Sequence, residues 1–308
     1  MSTKHTAVET VNIATGEGIF TASIAGEPDA PLVILLHGFP HTRHTWRDAL
    51  GALADAGFRA VAPDQRGYSP GVRPSDALEY NTDRLVQDVL DIADVLGAAN
   101  FHVVGHDWGG QVAWLAAAHH PERVRALTSL SRPHPAAFAR SLSLDSEQRA
   151  RSAHHDRFLA PDAADDLAID GFSAVRAGLA MSGVPEPEID AYFQVLGDRD
   201  TLDAALNWYR AAAITGGLGA IDCPAVKVPT LFVWGEADSS VGRLAAELTV
   251  EHVTGRYRFV EVAGHGHFLM DDGAAPVVIE ALLDHLSSCG SDRPAYTPTE
   301  SRESEDPQ

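Results

Sequence analysis

At 308 residues and 45% apolar content, the chain is long enough for one large α/β domain with an insertion and apolar enough for a sizeable core. A formal net charge of −20 opposes binding to nucleic acid or anionic lipid, so no nucleic-acid partner and no membrane partner is expected. No apolar run reaches membrane-spanning length, and the first residues lack the basic-then-apolar pattern of a signal peptide. Cys223 and Cys289 show neither metal nor redox spacing, so a reducing cytoplasm is the simplest compartment. The histidine pairs His119-His120 and His154-His155 lack a matching ligand set, and no metal is expected.

Taken in chain order, residues 32–36, 59–62, 101–104 and 124–130 read as short buried strands, and the pattern resumes at 230–234 and 257–262. Strands alternating with amphipathic helices predict a mostly parallel sheet covered by helices. Residues 111–120 read as an alanine-rich helix ended by Pro121. Between Pro133 and about Ala220 no strand-like run occurs, while helical segments such as 186–196 and 201–214 follow one another. The expected organisation is a core built from residues 1–133 and 221–289, a helical cap over 134–220 inserted after the sixth strand, and a tail at 290–308 without apolar periodicity, expected to be disordered. A cap in that place would roof the carboxyl ends of the strands, where open α/β sheets bind ligands.

The chemistry concentrates in Gly105-His106-Asp107-Trp108-Gly109-Gly110, between a strand and a helix. Gly-x-nucleophile-x-Gly describes a strained strand-to-helix turn that pushes its central side chain out above the sheet. Here that side chain is an aspartate. Its carboxylate is ionised at neutral pH, with a reference pKa of roughly 3.9, and needs no general base to attack. Attack on an acyl carbon would give a labile anhydride, whereas attack on an sp3 carbon bearing oxygen or halide gives a stable alkyl ester. Alkyl transfer is the expected first step.

His37-Gly38-Phe39-Pro40 after the third strand, Asp64-Gln65-Arg66-Gly67-Tyr68-Ser69 after the fourth, the Asp107 motif and Asn207-Trp208-Tyr209-Arg210 in the cap occur in that order. Together they resemble the α/β-hydrolase-fold epoxide hydrolases, over about residues 16–286. The resemblance implies an α/β-hydrolase fold and hydrolysis of a small-molecule epoxide to a vicinal diol through an ester on Asp107, with no cofactor. It places the acid at Asp238, with Glu236 as the rival, and the base at His267, whose Phe-Leu-Met-Asp-Asp continuation matches better than that of His265. It assigns oxyanion donors to the N–H groups of Phe39 and Trp108, with His37 and Pro40 shaping the first of these turns. Tyr209 matches one of the family's two cap tyrosines, as proton donor to the epoxide oxygen; bland packing of Trp208 and Tyr209 is the alternative. The chain departs from the pattern at His154, which stands where the second tyrosine is expected, and Tyr192 would compensate only if its helix faced Asp107. A haloalkane or haloacid dehalogenase shares the aspartate chemistry and would use the Trp108 indole for halide, but Phe39 stands where several of those enzymes carry an asparagine. A non-catalytic relative that binds ligand is the remaining alternative.

Overall fold

The computed structural model describes residues 7–289, so the tail expected at 290–308 lies outside the described residues. The chain opens with β1 (Glu9–Thr15) and β2 (Gly18–Ala25), an antiparallel pair. Next come β3 (Leu32–Leu36), α1 (Arg47–Asp55), β4 (Arg59–Pro63), α2 (Thr82–Val95), β5 (Phe101–His106), α3 (Trp108–His119) and β6 (Val124–Leu130). Six helical segments then follow without a strand: α4 (Pro135–Leu144), α5 (Ser146–Arg151), α6 (His154–Phe158), α7 (Ala163–Met181), α8 (Glu186–Leu196) and α9 (Arg199–Ile214). The chain returns to the sheet with β7 (Thr230–Gly235), α10 (Arg243–Leu248), β8 (Tyr257–Val262) and α11 (Ala275–Cys289).

The strands form one eight-stranded sheet in the order β1-β2-β4-β3-β5-β6-β7-β8, parallel from β4 to β8 and antiparallel where β2 meets β4. Every residue of β3, β5 and β7 is buried, as expected of parallel strands covered by helices on both faces. β1 is mostly exposed at the sheet edge, and it is one of two strands that the apolar runs did not reveal.

α8 occupies the expected 186–196, whereas two other helices start two or three residues before the sequence expectation. α3 begins at Trp108 rather than at residue 111, because the chain turns at Asp107 straight into the helix and Gly109-Gly110 lie inside its first turn. α9 begins at Arg199, where the Asp198 carboxylate accepts from the Thr201 N–H 2.8 Å away and caps the free amides. α7 is broken in its middle, where Asp170, Gly171 and Phe172 have φ of 50°, 66° and 64°.

Candidate active site

The carboxyl ends of β3, β5, β7 and β8 deliver the loops that meet beneath the cap. Asp107 follows β5 with φ 51° and ψ −119°, a conformation costly for a residue with a Cβ. Three glycines permit it. A Cβ on Gly105 would lie 2.1 Å from the Gly109 carbonyl oxygen, one on Gly109 2.1 Å from that of Leu36, and one on Gly38 2.4 Å from Asp107 Oδ1. The turn is therefore possible only where backbones touch without side chains. The Phe39 N–H donates to Asp107 Oδ1 at 3.0 Å. The N–H of Trp108 heads α3, where an amide has no acceptor within its own helix.

Asp238 follows β7 and is fully buried. Its Oδ1 accepts from the N–H groups of Ser240 at 2.7 Å and Val241 at 2.9 Å, which fix the carboxylate. His267 follows β8, and its Nδ1 lies 3.0 and 2.9 Å from the two Asp238 oxygens. Its Nε2 stands 3.7 Å from Asp107 Oδ2. Its carbonyl is held by Ser131 Oγ at 2.9 Å and His106 Nε2 at 2.8 Å. Burial alone would lower the His267 pKa, but Asp238 and Asp107 outweigh it and raise the value to about 10. Burial would likewise raise Asp107, and the facing imidazolium instead holds it below the usual carboxylate range. His265 stands apart, with Nδ1 3.0 Å from Asp272 Oδ1, and Glu236 faces the Gly264 N–H at 3.3 Å and Arg243 at 3.9 Å. Of the rival pairs, the structure brings His267 and Asp238 to Asp107.

Above Asp107 lies a cavity of about 310 Å³ lined by Phe39, His154, Phe158, Tyr209 and His267, among others. Tyr209 is buried, its ring edge-to-face with Trp108 at 5.2 Å and Phe39 at 5.8 Å, and burial raises its pKa so that it stays a phenol. Trp208 points the other way and donates its indole N–H to the Arg66 carbonyl at 2.9 Å. His154 lines the cavity, but Nδ1 is 2.9 Å from the Arg151 carbonyl, which can only accept. That fixes the proton on Nδ1, and burial keeps the ring neutral by lowering its pKa, so Nε2 presents a lone pair. His154 therefore differs from the expected tyrosine substitute in being an acceptor. Tyr192 does not compensate, because its hydroxyl donates to Asp271 Oδ2 at 2.7 Å. His37 is buried behind the site, with Nε2 accepting from the Gln65 N–H at 3.2 Å and Nδ1 donating to the Gly38 carbonyl at 3.1 Å. The Trp108 indole is not among the cavity-lining groups of the described residues.

Two cavity residues carry no sequence signal. His155 sits beside His154 with its ring 5.4 Å from that of Tyr209, and Arg132 enters from the loop after β6.

The family model described as alpha/beta hydrolase fold matches residues 31–274. This chain belongs to the α/β-hydrolase fold family, in its epoxide hydrolase group. It is 34% identical over 308 aligned positions to epoxide hydrolase A of Mycobacterium tuberculosis, covering 85% of this chain and 92% of that one. It is also 33% identical to the AB hydrolase superfamily protein YfhM of Bacillus subtilis, covering 86% and 93%. Among solved structures, the crystal structure of epoxide hydrolase A from Mycobacterium thermoresistibile superposes with a TM-score of 0.77 at 29% identity, covering 91% of this chain and 98% of that chain. Among the described residues, this α/β hydrolase has no helix long and apolar enough to cross a membrane.

Proposed function

We propose that this α/β hydrolase converts a small-molecule epoxide and water to a vicinal diol in two steps. The observation that carries the reading is the convergence of an ionised Asp107, a His267–Asp238 pair and the Tyr209 phenol on one cavity. In the first step Asp107 Oδ2 attacks a ring carbon and the carbon–oxygen bond breaks. Its electron pair goes to the ring oxygen, which takes the Tyr209 proton. In the second step His267 accepts a proton from water, and the hydroxide adds to the Asp107 carboxyl carbon. The resulting oxyanion forms on Oδ1, which already holds the Phe39 N–H. Collapse releases the diol with the proton from His267, and the regenerated carboxyl group returns a proton to the Tyr209 oxygen.

The base must be neutral to act, yet His267 is charged beside an ionised Asp107. Esterification removes that carboxylate charge and with it part of what raises the His267 pKa. The first step therefore prepares the second: once the ester has formed the imidazolium releases its proton to solvent, and it takes one back when the Asp107 carboxylate is regenerated.

The dehalogenase alternative needs a halide cradle. The Trp108 side chain is engaged by Tyr209, and Phe39 contributes an apolar ring to the cavity, so the leaving oxygen fits better. We also infer a cytoplasmic location, supported by two unpaired cysteines, Cys223 being buried.

The test is mass spectrometry of His267→Gln after exposure to a panel of epoxides and organohalides. The variant should gain the mass of one epoxide molecule. A gain of substrate minus hydrogen halide would favour the dehalogenase, and no adduct from any substrate would remove the alkyl-enzyme reading.

A further inference from the structure

Among the described residues Arg132 is a charged side chain with no ion-pair partner in contact; the carboxylate that acts on it, from beyond ion-pair distance, is Asp107. It is 6% exposed, and its Nε and Nη2 both donate to one neutral acceptor, Gln111 Oε1, at 3.0 and 2.6 Å. The guanidinium carbon lies 4.5 Å from the centre of the Phe138 ring, and no carboxylate is within ion-pair distance among the described residues. Among the described residues Nη1 makes no hydrogen bond, and it is not sealed from solvent. A buried ion left unpaired costs several kcal/mol, so proteins retain one chiefly where something else pairs it. The Gln111 amide nitrogen also lacks an acceptor, which leaves this corner with donors to spare.

The surroundings point the same way. In a chain of net charge −20, the only acidic side chain lining the cavity among the described residues is Asp107, against the two arginines Arg132 and Arg157. Arg157, in α6, is exposed and has no ion pair among the described residues. A local excess of positive charge inside an acidic protein is what an anionic substrate needs, since otherwise the field of the whole molecule would repel it.

We propose that the preferred substrate is an epoxide bearing a carboxylate a few bonds from the ring, with Arg132 receiving the carboxylate while Asp107 attacks carbon. This rests on the epoxide hydrolase reading. The reacting carboxylate and the substrate carboxylate repel, and Arg132 offsets that repulsion from within the same cavity. Arg132 also draws the carboxylate to one wall, so the ring carbon presented to Asp107 is set by the charge and not only by the fit of apolar groups. A guanidinium meets a carboxylate through paired hydrogen bonds, and Nη1 is the nitrogen free to begin that pairing.

The experiment compares trans-3-phenylglycidate with its uncharged primary amide, and includes styrene oxide as a neutral epoxide. For the full chain, kcat/KM should favour the acid over the amide by about 10- to 100-fold, the range of one charged hydrogen-bonded contact. In Arg132→Met that ratio should fall to about one, and in Arg132→Lys it should be partly restored, with thermal melting checking that each variant folds. A wild-type enzyme that opens the amide or styrene oxide as well as or better than the acid would overturn this inference while leaving epoxide hydrolysis standing. A preference for the acid that survives in Arg132→Met would overturn the assignment to Arg132. Failure to open all three compounds would count against both readings, and the adduct experiment on His267→Gln would then decide the broader one. If neither variant folds, the wild-type ratio alone decides.

Discussion

His267 Nε2 faces Asp107 Oδ2 across 3.7 Å, wider than a hydrogen bond and close enough for each charge to hold the other. The pair is an ion pair at rest and a general base only after Asp107 has reacted. In Asp107→Asn, His267 should titrate well below the value of about 10 expected beside an ionised Asp107, as followed by the imidazole proton resonances. In rapid kinetics, ester formation should stay flat down to the ordinary carboxylate range, because Asp107 remains ionised. Ester hydrolysis should proceed at neutral pH. Hydrolysis appearing only above about pH 10 would mean that His267 never loses the influence of Asp107.

Tyr209 touches Phe39 and Trp108 and is the phenol lining the cavity. Tyr209→Phe should slow epoxide opening by roughly 10- to 1000-fold, the usual range for removing one proton donor. The loss should appear in the rate of ester formation measured in a single turnover. A loss confined to ester hydrolysis would assign the hydroxyl to the second step.

Gly38 tests the tightness of the turn. A methyl group in Gly38→Ala would stand 2.4 Å from Asp107 Oδ1 and must push the carboxylate off its position. A displacement of about 1 Å at a reacting group costs about 100-fold in rate. The expected result is a loss of that size in kcat/KM with circular dichroism unchanged.

Acid should destabilise this protein early. His37 and His155 are lowered to about 3, and His102, His106, His134 and His285 to about 4, in each case chiefly by burial. The unfolded chain binds protons at these sites as pH falls below about 6.5, while the folded chain does not. Stability from these histidines is therefore complete above about 6.5 and is lost as pH falls toward 4, at about 1.4 kcal/mol per pH unit for each proton. Asp88, raised to about 6 mainly by burial, offsets part of this. His267 has the opposite sign: its contribution is full below the ordinary 6.5 and declines as pH rises through about 10. Urea melts between pH 4 and 10 should show a maximum near neutrality, steeper on the acid side, and a flat profile from 4 to 7 would contradict it.

The strands with continuous apolar runs were legible, because a strand buried on both faces leaves an unbroken signature. β1 and β2 were not, since β1 is an edge strand with exposed residues such as Glu9 and Thr10, and β2 beside it is interrupted by partly exposed positions rather than continuously buried. Asp107 was legible because its glycines are required by the turn, whereas Asp238 and His267 were distinguished from Glu236 and His265 through the resemblance to the epoxide hydrolases. Arg132 was invisible for the opposite reason: nothing local in Ser131-Arg132-Pro133-His134 distinguishes an arginine turned into a cavity from one in water. His154 illustrates a further limit, since whether its ring donates or accepts is decided by the Arg151 carbonyl one helical turn away.

The hydrogen bond from the Phe39 N–H to Oδ1 makes the two Asp107 oxygens unequal, because Oδ1 is tethered while Oδ2 faces His267. If the tether lasts through a cycle, Oδ2 leaves in the diol and the oxygen from water takes its place, with Oδ1 never exchanging. Each diol would then carry the water oxygen of the preceding cycle, so the enzyme keeps an isotopic memory one turnover deep. After transfer into heavy-oxygen water, the first diol released should be unlabelled and the second fully labelled. A second diol at half enrichment would mean that the carboxylate rotates between cycles and that the tether gives way each time.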